Sequence, residues 1–175
     1  MQGKPGGQPV GCIQAADACR RAAGKKGGRV TSRRHTLQTR FGKITYNPDK
    51  VIRFPEGLVG FEKLRNFVVL PNKIEGDPLF CLQSVEEPAL AFLLVNPALF
   101  FPEYQVVPGP EDLEKLGISE KDPYFVLTTI TFHEDETVTL NLLAPVIYTP
   151  KTDHAVQVIL EDSGFRAKTP LPIRR

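Results

Sequence analysis

Histidine and cysteine, the usual ligands of zinc, are few in this sequence. Its 175 residues include three of each: His35, His133, His154, Cys12, Cys19 and Cys81. His133 is followed by Glu134, but position 137 holds a threonine where the HExxH zinc motif needs a second histidine. The other spacings offer no set of ligands for zinc. We therefore predict no metal site and no cofactor.

Motifs for nucleophilic or phosphate chemistry are also missing. Ser84 lacks the flanking glycines of a nucleophile elbow, and the glycine-rich stretch 24–28 lacks the spacing and final Ser or Thr of a P-loop. Neighbouring acids, as in Glu86-Glu87, are typical of solvated turns. We predict that the protein is not an enzyme. An unrecognised active site remains one alternative, which an apolar pocket with perturbed acids would indicate.

Charge divides the chain into two parts. Residues 1–35 contain eight Lys or Arg and one Asp, a net charge of +7, whereas the rest contains fourteen basic and nineteen acidic residues, a net charge of −5. The first part has few large apolar side chains, which predicts a disordered basic arm. The arm is alternatively a translation-start artefact, with a GTG start at Val30. Residues 36–172 are predicted to form one domain, and the tail from Lys168 to Arg175 is expected to fray, with 173–175 outside the domain.

Cysteine usage and hydropathy indicate the compartment. Three cysteines, an odd number, do not suggest a secreted disulfide framework, and Cys81 in an apolar run is typical of a buried thiol. No apolar run approaches the roughly 18–20 residues of a membrane helix, and residues 1–35 contain no secretory signal. We predict a cytoplasmic protein with no membrane contact that is monomeric when free.

The elements that would position any site are mostly short strands. Alternating and β-branched runs separated by turn residues predict a hairpin around Gly42 and strands at 51–54, 67–70, 79–85, 90–95, 124–132, 138–143, 146–148 and 155–160. One helix is predicted at Gly109–Gly117, with Leu113 and Leu116 on one face, and one helical turn at Glu62–Arg65. This pattern indicates a mainly β, small antiparallel β-barrel-like domain with one or two short helices.

An aromatic segment between two prolines, Pro97 to Pro102, is the clearest surface candidate. Strand alternation would send Phe100 and Phe101 to opposite faces, so that one enters the core and the other is partly exposed. Alternatively, the predicted helix covers both. An exposed apolar anchor within an acidic rim is typical of a protein-binding site.

Several motifs occur together in a fixed order. They are Thr39-Arg40-Phe41-Gly42, the run from Ile52 to Glu62, the run from Leu82 to Pro88, Leu90-Ala91-Phe92, Asn96-Pro97, the run from Phe100 to Tyr104, the run from Asn141 to Ile147, and Gln157-Val158. In this order they resemble the flagellar assembly factor FliW family over about Thr36 to Pro172. The arm is a departure, because such proteins usually begin just before the first motif.

The resemblance implies a bacterial, non-catalytic flagellum-biogenesis factor that acts in translation regulation and as a chaperone. Family members bind CsrA, an mRNA-binding translational repressor, and thereby relieve repression of flagellin synthesis. They also bind flagellin near its C-terminal segment, and secretion of flagellin frees them to capture CsrA. CsrA inhibition in the family is generally allosteric, through a surface beside the RNA-binding groove.

We predict the partner-contacting residues from these motifs and from surface chemistry. They are Phe61, Glu62, Gln83, Glu86, Glu87, Phe101, Tyr104 and Asn141, whereas Phe54, Phe92 and Pro145 are expected in the core or in turns. A rival class is a small β-barrel RNA-binding module that uses the basic arm, which predicts steep salt dependence. No direct nucleic-acid contact is expected from the domain itself, because it lacks a basic stripe with stacked aromatics.

Overall fold

A computed structural model describes residues 34–40, 42–70 and 78–171 of the chain. The predicted arm, apart from its last two residues, and the predicted tail at 173–175 lie outside these ranges. Within them the strands are β1 (His35–Thr39), β2 (Gly42–Tyr46), β3 (Ile52–Arg53), β4 (Asn66–Leu70), β5 (Phe80–Ser84), β6 (Ala91–Val95), β7 (Phe125–Phe132), β8 (Val138–Leu140), β9 (Val146–Thr149), β10 (His154–Gln157) and β11 (Thr169–Pro170). One α-helix, α1 (Pro110–Leu116), and 3-10 turns at Pro48–Lys50 and Pro97–Leu99 complete the described elements.

Nine of these strands form one sheet that bends back on itself. The strand order is β11-β8-β7-β6-β5-β4-β3-β10-β9, and β9 also pairs with β7, so that seven strands make a ring-like arrangement. The pairings are antiparallel except for β3 with β10, where Arg53 is opposite His154. The predicted mainly β, barrel-like fold is confirmed in this ring-like form.

Strand β7 holds the ring together because its two halves have different partners on one side. Its first half pairs with β9, Leu127 opposite Val146, and its last part pairs with β8, Ile130 opposite Leu140. The connection between β8 and β9, residues 141–145, turns instead of continuing the ladder. The predicted strand at 138–143 is therefore too long by three residues, because the chain changes from one half of the sheet to the other at this point.

Strands β1 and β2 form a separate hairpin, as the alternation around Gly42 predicts. His35 is opposite Tyr46 and Thr39 is opposite Gly42, and these two strands make up a sheet of their own in the described part of the chain. Gly42 has a φ of +100°, which a side chain with a Cβ disfavours. The glycine therefore determines where the hairpin reverses.

Helix α1 begins and ends where its sequence predicts. The Gly109 N–H donates to Asp112 Oδ2 at 2.9 Å, and Gly117 ends the helix in the left-handed region with a φ of +67°. Leu113 and Leu116 are buried, as their spacing on one helix face requires.

The interior consists of two groups of apolar side chains. The first core cluster contains Phe54, Leu58, Phe67, Leu82 and Phe125 among its buried members, with Phe92 packed against it. The second core cluster contains Tyr104, Val106, Leu116, Leu140 and Leu142, with Phe100 and Phe101 packed against it. Burial of Phe54 and Pro145 and the packing of Phe92 confirm the core or turn roles predicted for these residues.

Two predicted local structures are wrong. Residues 62–65 form no helical turn, because positive φ values at Gly57 and Gly60 fold the preceding chain into a tight loop in which Leu58 and Phe61 form a β-bridge. The chain after Lys168 does not fray at once, since Thr169 and Pro170 pair with β8 opposite Leu140 and Thr139. These pairings extend the half of the sheet that β8 begins.

Candidate docking surface

A surface loop, residues 55–65, connects β3 to β4 and is closed tightly at its base. The Phe54 N–H donates to Arg65 O at 2.8 Å, and the Arg65 guanidinium donates to Pro55 O. Leu58 is buried in the first core cluster and anchors the middle of the loop from below. The loop is therefore attached to the core at both its ends and its centre.

Two glycines give the surface loop its shape. Gly57 has a φ of +75°, and its N–H donates to Phe54 O at 3.1 Å. A Cβ built on Gly57 would lie 2.6 Å from Phe61 O, whereas a Cβ on Gly60, where φ is +84°, would meet nothing within 4 Å. Gly57 is thus required both by backbone conformation and by space, and Gly60 by conformation alone.

The rest of the domain holds the outside of the surface loop. The Val59 N–H donates to Gln157 Oε1 of β10 at 2.8 Å, and Gln157 Nε2 donates to Ala144 O at 3.1 Å. Glu56 forms a 2.9 Å ion pair with Lys115 of α1. Two separate elements, β10 and α1, thus contact the outside of the loop, and Ala144 orients the Gln157 amide that does so.

The fixed loop leaves two apolar side chains on the surface. Val59 is 57% exposed and Phe61 is 38% exposed. The Phe61 ring packs edge-on against Phe92, with 5.4 Å between ring centroids, and Phe92 packs on the first core cluster. Phe61 is therefore an anchored aromatic ring with one open face, which is the kind of side chain that dominates protein interfaces.

Predicted acidic contact residues lie on the surface loop and on the turn between β5 and β6, residues 85–90. Glu62 is exposed, and the Gly60 N–H donates to its Oε1 at 2.9 Å. Backbone hydrogen bonds from Glu62 and Gly60 lower the pKa of this carboxyl. Glu86 Oε2 accepts the Arg65 and Asn66 N–H groups, each at 3.0 Å. Glu86 thus fastens the β5–β6 turn to the end of the surface loop, and Glu87 is exposed beside it.

Gln83 was predicted to be a contact residue, and its burial corrects that prediction. Its side chain is 0% exposed, with Nε2 within 3.0 Å of the carbonyl oxygens of Ser84, Pro88 and Leu90. Gln83 Oε1 is buried without a hydrogen-bond partner among the described residues. A partner on the surface cannot reach this amide. Its role is to hold the β5–β6 turn that carries Glu86 and Glu87.

The remaining predicted residues, Phe101, Tyr104 and Asn141, lie at the second core cluster instead. Tyr104 is buried, its hydroxyl donates to Leu142 O at 2.8 Å, and burial raises its pKa, so its prediction as a contact residue is wrong. Asn141 is half-buried: its N–H donates to Thr129 O at 3.0 Å and its Oδ1 accepts the Ala144 N–H at 3.1 Å. These bonds shape the turn between β8 and β9.

The aromatic segment is less exposed than alternation predicts. Phe100 and Phe101 are both half-buried and both pack against the second core cluster, to which Leu116 of α1 belongs. The 3-10 turn at Pro97–Leu99 interrupts the alternation, so the two rings do not lie on opposite faces of a strand. Leu99 is more exposed than either of these two rings.

Replacing Tyr104 with phenylalanine is expected to lower the free energy of unfolding by about 1 kcal/mol, because the buried Leu142 carbonyl loses a hydrogen bond. Tyr46→Phe, at a half-buried tyrosine of the β1–β2 hairpin, should change it by less than about 0.5 kcal/mol. Urea unfolding of the two variants tests this, and equal effects would contradict the structural role of the Tyr104 hydroxyl.

Two useful residues escaped the sequence prediction. Val59 lies with Leu58 between Gly57 and Gly60, and such closely spaced glycines are a signal for a loop. Gln157 gives no such signal, because its partner Val59 lies 98 residues away in the chain.

In the described ranges, no three His, Cys, Asp or Glu side chains are grouped to hold a metal ion, and no helix is long and apolar enough to cross a membrane.

Comparison with known proteins agrees with this architecture. A family model described as FliW protein matches residues 35–171. Flagellar assembly factor FliW 2 of Desulfotalea psychrophila is 53% identical over 138 residues, covering 79% of this chain and 91% of the relative. Flagellar assembly factor FliW of Syntrophotalea carbinolica is 48% identical over 137 residues, covering 78% and 97%. A crystal structure of the flagellar assembly factor FliW superposes with a TM-score of 0.70 at 30% identity, covering 78% of this chain and 96% of that one. The predicted family is thus confirmed, and the chain belongs to the FliW family.

Proposed function

We propose that this chain is a flagellar assembly factor that binds CsrA and flagellin in turn. By binding CsrA it relieves repression of flagellin mRNA, and by binding flagellin it acts as a chaperone-like partner during assembly. Membership of the FliW family supports this role, since both relatives described above are named flagellar assembly factors. In this proposal the protein acts by binding its partners and catalyses no reaction on them.

The observation that carries the proposal is the preformed surface loop. It presents Val59 and Phe61 to solvent while Gln157 and Lys115 hold its outer side. A loop that is already ordered loses little conformational entropy on binding, so its exposed apolar area contributes more fully to affinity. Such a loop suits a protein partner better than a small substrate, because its apolar groups point outward.

Charge gives a second line of support. Residues 36–175 carry a net charge of −5, and the exposed acids Glu62 and Glu87 lie on the surface loop and the adjacent β5–β6 turn. A repressor that binds mRNA must present basic groups to phosphate, so an acidic surface speeds their encounter and orients the pair. This complementarity favours CsrA as one occupant of the loop region.

Binding of purified CsrA and flagellin to the full chain tests the proposal. Titration calorimetry is expected to give heat with each protein, and flagellin added first should reduce the binding of CsrA. In a translation reaction repressed by CsrA, the chain should restore flagellin synthesis, and excess flagellin should reverse that restoration. The absence of both heat and a shift in melting temperature with either protein would refute the proposed function.

Both proposed partners are cytoplasmic before flagellin is exported, so we place the chain in the bacterial cytoplasm.

A further inference from the structure

The boundary between basic and acidic sequence lies inside the described structure. Residues 1–48 contain ten Lys or Arg and one Asp, a net charge of +9, whereas residues 49–175 contain twelve basic and nineteen acidic residues, a net charge of −7. The hairpin of β1 and β2 therefore belongs to the basic part. From Arg34 to Pro48 the sequence contains no acid.

The hairpin has two chemically different faces. Leu37 is opposite Ile44 and His35 is opposite Tyr46, and the His35 and Tyr46 rings meet edge-on with 5.7 Å between centroids. On the alternate positions Thr36 is opposite Thr45 and Gln38 is opposite Lys43, and all four of these residues are exposed. The face formed by these four residues thus presents hydroxyl, amide and ammonium groups to solvent.

Basic groups lie at both ends of this face, with Thr36, Thr45 and Gln38 between them. Arg34 is exposed just before β1, Lys43 lies in the hairpin, and Arg40 is exposed at its reversal. At about 3.3 Å per residue, the row from Arg34 to Arg40 spans roughly 20 Å. Both ion pairs recorded among the described residues, Glu56 with Lys115 and Asp122 with Lys151, leave Lys43 uninvolved. A row of this length matches an extended polyanion better than a single anion.

The chemistry of the face favours nucleic acid over an acidic protein. Threonine hydroxyls and a glutamine amide beside basic groups are typical phosphate and sugar contacts. A protein partner would be expected to use an apolar or aromatic anchor, and the alternate positions of this face hold only polar side chains. The same lack of an aromatic ring excludes base stacking, so contact would be made to the backbone and not to a sequence.

We propose that the outer face of the β1–β2 hairpin is a binding site for the phosphate backbone of nucleic acid. This face continues, within the described structure, the basic sequence of residues 1–33. It lies outside the surface loop that is proposed to bind proteins. This revises the expectation that the domain makes no direct nucleic-acid contact. The site is independent of CsrA, so it stands or falls apart from the proposed function.

Fluorescence anisotropy of the full chain with a labelled oligouridine of about 16 nucleotides tests the site. The variants are Arg34→Glu, Lys43→Glu and their combination, and Lys121→Glu, at an exposed position outside the hairpin, is the charge-matched control. We expect each hairpin variant to weaken binding roughly fivefold and to reduce the slope of log affinity against log salt by about 0.7. The control should retain the wild-type slope.

Three results would overturn the proposal. Hairpin variants that bind like the wild type would assign any RNA binding to residues 1–33 alone. An equal loss in Lys121→Glu would show that only net charge matters. Polyglutamate of similar length binding as tightly as oligouridine would identify the face as an acidic-peptide site. An unchanged melting temperature in each variant confirms that folding is intact, as the exposure of both side chains leads us to expect.

Discussion

Gly57→Ala is expected to lower the free energy of unfolding by about 3 kcal/mol and to disorder the surface loop. A residue with a Cβ at a φ of +75° is strained by about 1–2 kcal/mol. The new Cβ would also lie 2.6 Å from Phe61 O and 2.7 Å from Glu62 Cα, which are backbone atoms with no rotamer to adjust. Moving them breaks the 2.7 Å hydrogen bond from the Phe61 N–H to Leu58 O, at a cost of about 1 kcal/mol.

Gly60→Ala is the matched control for this prediction. Its φ of +84° imposes a similar backbone strain, but its Cβ would meet no atom within 4 Å. We expect a loss of only about 1–2 kcal/mol, with the loop contacts retained. Urea unfolding of both variants measures the difference, and equal losses would mean that the space above Gly57 does not shape the loop.

Phe61→Ala is expected to weaken binding of at least one proposed partner by about 2 kcal/mol, roughly thirtyfold. The ring is anchored against Phe92 and has one face in solvent, so truncation removes an apolar contact area that is already held in position for binding. Because the side chain is 38% exposed in the free protein, folding should be affected less than binding. Calorimetric titration with CsrA and with flagellin measures the effect.

Phe132→Ala provides the comparison, since Phe132 is 57% exposed at the end of β7 and lies outside the surface loop. It should leave both affinities within about twofold of the wild type. If Phe61→Ala binds both partners normally while remaining folded, the surface loop is not the docking site, although CsrA and flagellin could still bind elsewhere. Equal losses in the two variants would point to a general effect of lost apolar area.

Local structure was predictable where the responsible residues are neighbours in the chain. Gly109, Pro110 and Gly117 fix both ends of α1, and the leucines between them select its buried face. Gly42 between two alternating runs is sufficient for the hairpin. In both cases the deciding interactions span at most twelve residues, from Gly109 to Gly117 in α1 and from His35 to Tyr46 in the hairpin, so the pattern alone contains them.

Burial of polar side chains was not predictable because it depends on distant or irregular backbone. Gln83 is a polar residue whose type suggests a surface position, yet the nearby carbonyl oxygens of Ser84, Pro88 and Leu90 surround its amide. Tyr104 is buried because Leu142, 38 residues later, supplies an acceptor. The same holds for the closing of the sheet, where β7 accepts two partner strands in succession. No sequence pattern around Gln83, around Tyr104 or in β7 predicts these contacts.

The hydrogen bond between Val59 and Gln157 has a consequence for protein synthesis. Its two ends are 98 residues apart, and Arg53 likewise pairs with His154 of β10. A nascent chain therefore has the residues of the surface loop long before it has the strand that supports them. A chain that ends before residue 157 lacks the Gln157 amide, so its surface loop is without the hydrogen bond that β10 supplies.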